Sequence, residues 1–178
     1  MAIWFSQSLR TGEVHVIDYF EGSGEGFPFY ARMLRDKGYV YGDHWAPHDI
    51  QVRELGSGLS RMTVAESHGI KFKATPRLRT DKGGEIEEGI HAARMIFSRC
   101  WFDEVKCKAG LESLMHYRRE PLERMSTQQR QEFKTTPLKD WASHGADAFR
   151  GLAVRHKIPQ DKKVVRFDRV GGTEFAWG

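Results

Sequence analysis

Two short runs of alternating character open the chain. "AIWFSQS" and "EVHVIDYFEG" are rich in β-branched and aromatic residues and are joined by "LRTGE". The Thr11-Gly12 pair suits the connecting turn, so the spacing predicts a β-hairpin. In the second run Val14, Val16 and Asp18 alternate with His15 and Ile17, which fits strands covered on both faces. The period then lengthens. In "FPFYARMLRDKG" Phe29, Met33 and Leu34 recur at helical spacing and Gly38 supplies a stop. "YVYG" reads as a third strand and "DIQVREL" as the start of a short helix broken by "GSGLS". "RMTVAESHG" resumes helix, and "IKFKAT" is a fourth strand of period two, ended by Pro76.

The second half reads as mostly helical. "TDKGGEIEEGIHAARMIFSRC" opens as a loop and becomes an amphipathic helix with Ile86, Ile90, Ala93 and Phe97 on one face. "DEVKCKAGLESLMHYRRE" predicts another, with Val105, Leu111, Leu114 and Met115 inward. "PLERMSTQQRQEFKTTP" is polar and reads as a mobile loop. "DWASHGADAFRGLAVRH" is a last helix, and "VVRFDRV" in the tail could pair as an edge strand. The order hairpin, helix, strand, helices, strand, helices predicts an α/β fold with strands central and helices on the faces.

Composition narrows the classes. A chain of 178 residues holds one domain with a real core. With 28 Lys+Arg against 24 Asp+Glu it is mildly basic, which permits a nucleic-acid partner without demanding one. Two cysteines, Cys100 and Cys107, exclude a disulfide framework and a four-ligand zinc site built from them alone. Such cysteine usage suits a reducing cytoplasm. No apolar run approaches a membrane span, and "MAIWFSQSLR" is too short and polar for a secretory signal. There is no GxxxxGK[ST] and no GxSxG, which removes the P-loop and the nucleophile elbow. "GSGEG" before a helix is a weak anion site, and Glu21 and Glu25 oppose phosphate there.

Three stretches carry candidate chemistry. In "GDHWAPHDIQVREL" a strand reaching Gly42 would deliver Asp43 and His44 at its carboxyl end, with Asp49 at the mouth of the next helix. Ligands bind at that edge of open α/β sheets, and Mg²⁺ or Mn²⁺ takes hard oxygen ligands there. The plainer alternative makes Asp49 a helix N-cap and Asp43 a turn residue. In "DWASHGADAFR" His144 and Asp147 lie three apart on one helix face, with Asp140 close to it. Aspartate has low helix propensity, so Asp147 among Ala146, Ala148 and Phe149 needs a reason; an ion pair with Arg150 is the competing one. Finally, Lys73, Arg77, Arg79 and Lys82, then Arg118, Arg119 and Arg124, form basic loops suited to a polyanionic backbone or to plain solvation.

Taken together, "IDYFEGSGEGFPFYARMLRDKGYVYGDHWAPHDIQVRELGSGLSR", "GIHAAR", "CWFDEVKC", "GLESLMHYRRE" and "PLKDWASHGADAFR" resemble the C-terminal nuclease domain of tailed-phage terminase large subunits. The likeness spans about residues 2 to 152. It implies a ribonuclease-H-like mixed central sheet flanked by helices, in a nuclease domain over 1–156 followed by a tail over 157–178. It implies a metal-dependent DNA endonuclease that cuts concatemeric viral DNA during packaging, with two Mg²⁺ or Mn²⁺ ions held by acidic residues. Asp49 of the Pro47-His48-Asp49 motif and Asp147 of the Ser143-His144…Asp147 motif map to metal-binding acids. Asp43 rivals Asp49, His144 is a further ligand or phosphate contact, and Asp18 is an outside candidate. Arg77, Arg79, Lys82 and Arg150 would then contact DNA. The implied partners are double-stranded DNA, an upstream ATPase domain, the small terminase subunit and the portal, in the bacterial host cytoplasm, with no membrane. In that family a first acid lies on a strand ahead of the one matched by "AIWFSQS". The expectation is a chain lacking that strand and its carboxylate, hence weak or no cleavage, the alternative being a non-catalytic DNA or protein docking module of the packaging motor.

Overall fold

The computed structural model describes residues 1–78, 84–125 and 131–157. The hairpin forms as its sequence predicts. Strand β1 (Ala2–Ser8) pairs antiparallel with β2 (Val14–Glu21), with a register shift between Phe5 and Ser6. Its turn closes through Leu9 N–H to Glu13 O at 2.9 Å and needs Gly12 at φ +91°, a region that side chains rarely adopt. Helix α1 (Phe27–Asp36) begins with Pro28 in its first turn, where no N–H is lost, and ends before Gly38 at φ +68°. It buries Tyr30, Ala31 and Leu34.

Strand β3 (His44–Ala46) follows and pairs parallel with β4 (Phe72–Ala74). Between them lie a 3-10 turn over His48–Gln51 and helix α2 (Arg61–Ser67). Ser60 caps α2 by accepting from Thr63 N–H at 3.1 Å. Helix α3 (Glu85–Phe97) leads to β5 (Cys100–Phe102), which pairs parallel with β2. Helix α4 (Lys108–His116), the antiparallel pair β6 (Arg119–Met125) and β7 (Gln131–Pro137), and helix α5 (Ala142–Lys157) complete the described chain.

The described residues form a mixed α/β fold with three small sheets, ordered β1-β2-β5, β3-β4 and β6-β7. Two apolar clusters cover the two faces of the hairpin. On one, Val14, Val16, Ala92, Ala93, Ile96, Phe149, Ala153 and Val154 gather α3, α4 and α5 around Trp4. Phe149 is fully buried and stacks on Phe97 at 5.0 Å. On the other, Phe5, Tyr30, Ala31, Leu34, Ala65 and Ile70 join α1 and α2 to β1. Successive residues Trp4 and Phe5 thus serve opposite cores, as the strand period requires. Helix α5 packs on α3, α4, β1 and β3, and so spans two sheets.

Several expected elements move. Residues 39–42 form no strand; β3 begins at His44, after Tyr39 and Tyr41 have turned into the α1 cluster. The helix expected over "DIQVREL" shrinks to the 3-10 turn, because Arg53 bridges to Ser60. The inward face of α3 is Gly89, Ala92, Ala93 and Ile96, leaving Ile86 and Phe97 about two-fifths exposed at 39% and 41%. In the α4 region Val105 precedes the helix and is exposed, as is Met115, while Leu111 and Leu114 pack on the core. Strand β5 replaces the end of the helix expected to run to Cys100. The polar stretch expected as a mobile loop holds β6 and β7, whose register shifts twice. The edge strand expected at "VVRFDRV" lies outside the described residues.

Candidate acidic site and nucleic-acid interface

Because β3 and β4 are parallel, their carboxyl ends emerge together at Ala46 and Ala74. Thr75 N–H donates to Ala46 O at 2.8 Å and carries the pairing one residue further. Beyond this edge opens a groove of about 550 Å³ lined by His48, Gln51, Val52, Thr75, Pro76 and Arg77. Its position agrees with the tendency of α/β folds to place ligands at the carboxyl ends of parallel strands.

Asp49 occupies the first turn of the 3-10 segment at this edge and is exposed. Its carboxylate makes no hydrogen bond or ion pair among the described residues. Asp43 sits elsewhere. The expected strand would have ended at it, but β3 starts after it, so Asp43 stands at the amino end of β3. There it pairs with Lys73 at 2.7 Å, and Lys73 also covers the Trp45 ring at 5.7 Å. His44 is half-buried between Tyr41 and Phe72, at ring distances of 5.1 and 6.1 Å. Burial lowers its pKa, against an opposing pull from Asp43.

On α5, His144 and Asp147 are both exposed. Asp147 accepts from Arg150 Nη2 at 2.6 Å and lies 3.5 Å from the Tyr117 hydroxyl. Burial raises the Tyr117 pKa, with Asp147 adding to the rise and Arg150 opposing it. Arg150 is more buried than its partner, and its stem lies 3.3 Å from a Cβ position on Gly89 of α3. The ion pair weighed against a metal role for Asp147 is therefore formed. Asp140 belongs to the start of α5: it accepts from Ala142 N–H at 3.0 Å and meets Arg118 at 3.4 Å. Asp18 is buried on β2, held by Lys37 Nζ at 2.5 Å, Tyr19 N–H at 2.8 Å and Tyr39 OH at 3.1 Å. Three donors around one carboxylate leave it a structural role.

Of the basic residues expected at DNA, Arg77 lies on the groove, exposed and only 4.0 Å from Glu85. Arg150 is engaged by Asp147. Arg79 and Lys82 lie outside the described residues. Sequence reasoning missed Lys73 as the partner of Asp43, although the exposed alternation of Lys71 and Lys73 in "IKFKAT" pointed outward. It also missed Arg155, whose guanidinium stacks over Trp45 at 5.3 Å.

A search of protein-family models, of curated proteins and of solved structures returned no match to this chain.

Two dications close together need several anionic ligands between them. Among the described residues no group of three or more Asp, Glu, His or Cys side chains converges. Asp43 and Asp147 are each neutralised by a cation. The described residues do not fit a two-metal centre. No helix among them is long and apolar enough to cross a membrane.

Proposed function

We propose that this chain is a DNA-engaging domain of the terminase nuclease type, with a ribonuclease-H-like arrangement, whose cleavage of the phosphodiester backbone is weak or nil. The observation that carries this reading is the groove beyond β3 and β4, lined by His48 and Arg77, with Asp49, an acid unpaired among the described residues, in the same 3-10 turn as His48. The family likeness in the Pro47-His48-Asp49 and Ser143-His144…Asp147 segments supplies the substrate class. Arg77 suits phosphate, because cationic contacts to the backbone release condensed counterions and fix position without reading sequence.

A second reading, a docking module of the packaging motor that never cuts, is favoured by the ion pairs that occupy Asp43 and Asp147. Nicking of supercoiled plasmid in Mn²⁺, with fluorescence anisotropy on duplex DNA, separates the two. Slow Mn²⁺-dependent nicking lost in Asp49→Asn supports the nuclease reading. Metal-independent binding without nicking supports docking. Absence of both removes DNA from the account.

A further inference from the structure

We infer that the outer edge of β5 pairs with the same edge of a second copy of this chain, joining two three-stranded sheets across a two-fold axis at Trp101. Strand β5 (Cys100–Phe102) ends the sheet β1-β2-β5, so its far side is unpaired by any described strand. The ladder to β2 fixes which main-chain groups that side presents. Arg99 O accepts from Val14 N–H and Asp103 N–H donates to Val16 O, both at 2.9 Å. Strand alternation therefore turns the main chain of Trp101 toward β2, and the N–H and C=O groups of Cys100 and Phe102 outward. The surroundings are open to solvent: Trp101 is 63% and Val105 86% exposed, and Phe97 and Arg99 are exposed as well.

Self-complementarity names the occupant. An exposed edge is a template for another strand, and a two-fold contact uses one patch twice. With antiparallel strands and the axis at Trp101, Cys100 of each copy exchanges both main-chain hydrogen bonds with Phe102 of the other. Trp101 then meets its own counterpart at a non-hydrogen-bonded position, where side chains come closest and an aromatic pair adds stability. In the same register Arg99 of each copy stands opposite Asp103 of the other. Both lie two residues from Trp101 and so share its face. Neither forms an ion pair among the described residues: Arg99 donates to Gly12 O at 3.4 Å, and Asp103 accepts from the N–H groups of Val105 and Lys106 at 3.1 and 3.0 Å. A three-residue strand makes few main-chain bonds, so the side chains around it supply the area, with the exposed Phe97 and Val105 flanking its two ends. Asp103 and Glu104 directly after the strand disfavour a polyanion at this edge. The inference stands on β5 and does not rest on the nuclease reading.

The full chain is sedimented to equilibrium from micromolar to millimolar concentration, and amide exchange is followed residue by residue by NMR over the same range. The mass should climb toward that of two chains. Exchange at Cys100 and Phe102 should slow with concentration, while that at Trp101, already bonded to β2, stays constant. Trp101→Lys, a change at an exposed site, should keep the Tm and weaken association by about tenfold or more, as loss of a central aromatic anchor does. An Arg99→Glu chain and an Asp103→Lys chain should each self-associate weakly, because like charges then stand opposite one another. Mixed, the two should pair, since opposite charges meet at both ends. The inference is overturned by the mass of one chain at millimolar protein, by association that Trp101→Lys leaves untouched, by mixed chains that pair no better than either alone, or by Cys100 and Phe102 amides protected equally at every concentration. The last would mean that another part of the same chain covers the edge.

Discussion

Removing the carboxylate of Asp18 tests whether it is a structural anchor. In Asp18→Ala three donors lose one acceptor: Lys37 Nζ, Tyr39 OH and Tyr19 N–H. The Asp18 side chain is 7% exposed and that of Lys37 23%. Breaking a buried ion pair by deleting one partner costs about 3–5 kcal/mol. Lys37 is partly exposed and its ammonium can swing toward water, so the low end, about 3 kcal/mol, applies. For a chain of this length that is a fall in Tm of about 6–12 °C. Lys37→Met leaves the carboxylate two donors and should cost about 2 kcal/mol. The double variant Asp18→Ala with Lys37→Met should lose less than the sum of its singles by about 1–2 kcal/mol. Urea unfolding at neutral pH measures all four proteins, and an unchanged m-value shows that the native fold is retained. An Asp18→Ala variant within about 0.5 kcal/mol of the parent, the usual range of surface changes, would refute the reasoning and return Asp18 to the list of candidate ligands.

Three further outcomes follow from the packing and the titrating groups. A Cβ on Gly145 would lie 2.7 Å from Ser113 Cβ and 2.8 Å from the Tyr19 hydroxyl; Gly145→Ala should therefore destabilise by about 1–2 kcal/mol despite its better helix propensity, read by urea unfolding. His44 and His156 are both held below the usual histidine pKa, mainly by burial and in His156 also by Arg155 and Arg99. The unfolded chain then takes up protons first, so stability present at neutral pH should be lost as pH falls below about 6.5, and His156→Gln should flatten the Tm profile between pH 7 and 5. Burial pushes the Cys100 and Cys107 thiols up to about 11; at pH 8 both should react slowly with a disulfide reagent, Cys107 slower because it is fully buried, and fast labelling of Cys107 in the native state would contradict its place in the core.

Local chemistry settled much of the chain in advance. The β1–β2 hairpin needed a glycine at a positive-φ turn, and α1 a first-turn proline and a glycine stop; each is an interaction among near neighbours and is legible from spacing. What the tertiary structure decided was pairing and burial. Strand β3 starts at His44 because Tyr39 and Tyr41 are drawn into a core that includes Phe5 of β1, far from them in sequence. The inward face of α3 follows from which residues α5 can approach. The hairpin of β6 and β7 gains nothing from an apolar period, so no pattern announced it. For the site, sequence offered Asp49, Asp43 and Asp147 as candidates and named Arg150 as the alternative partner of Asp147, but it missed the partner of Asp43. Lys73 reaches Asp43 because strand β4 lies beside β3, and Asp18 is an anchor because a lysine 19 residues on packs back against it. A carboxylate's character is set by the charges that folding brings near it, and those contacts are long-range.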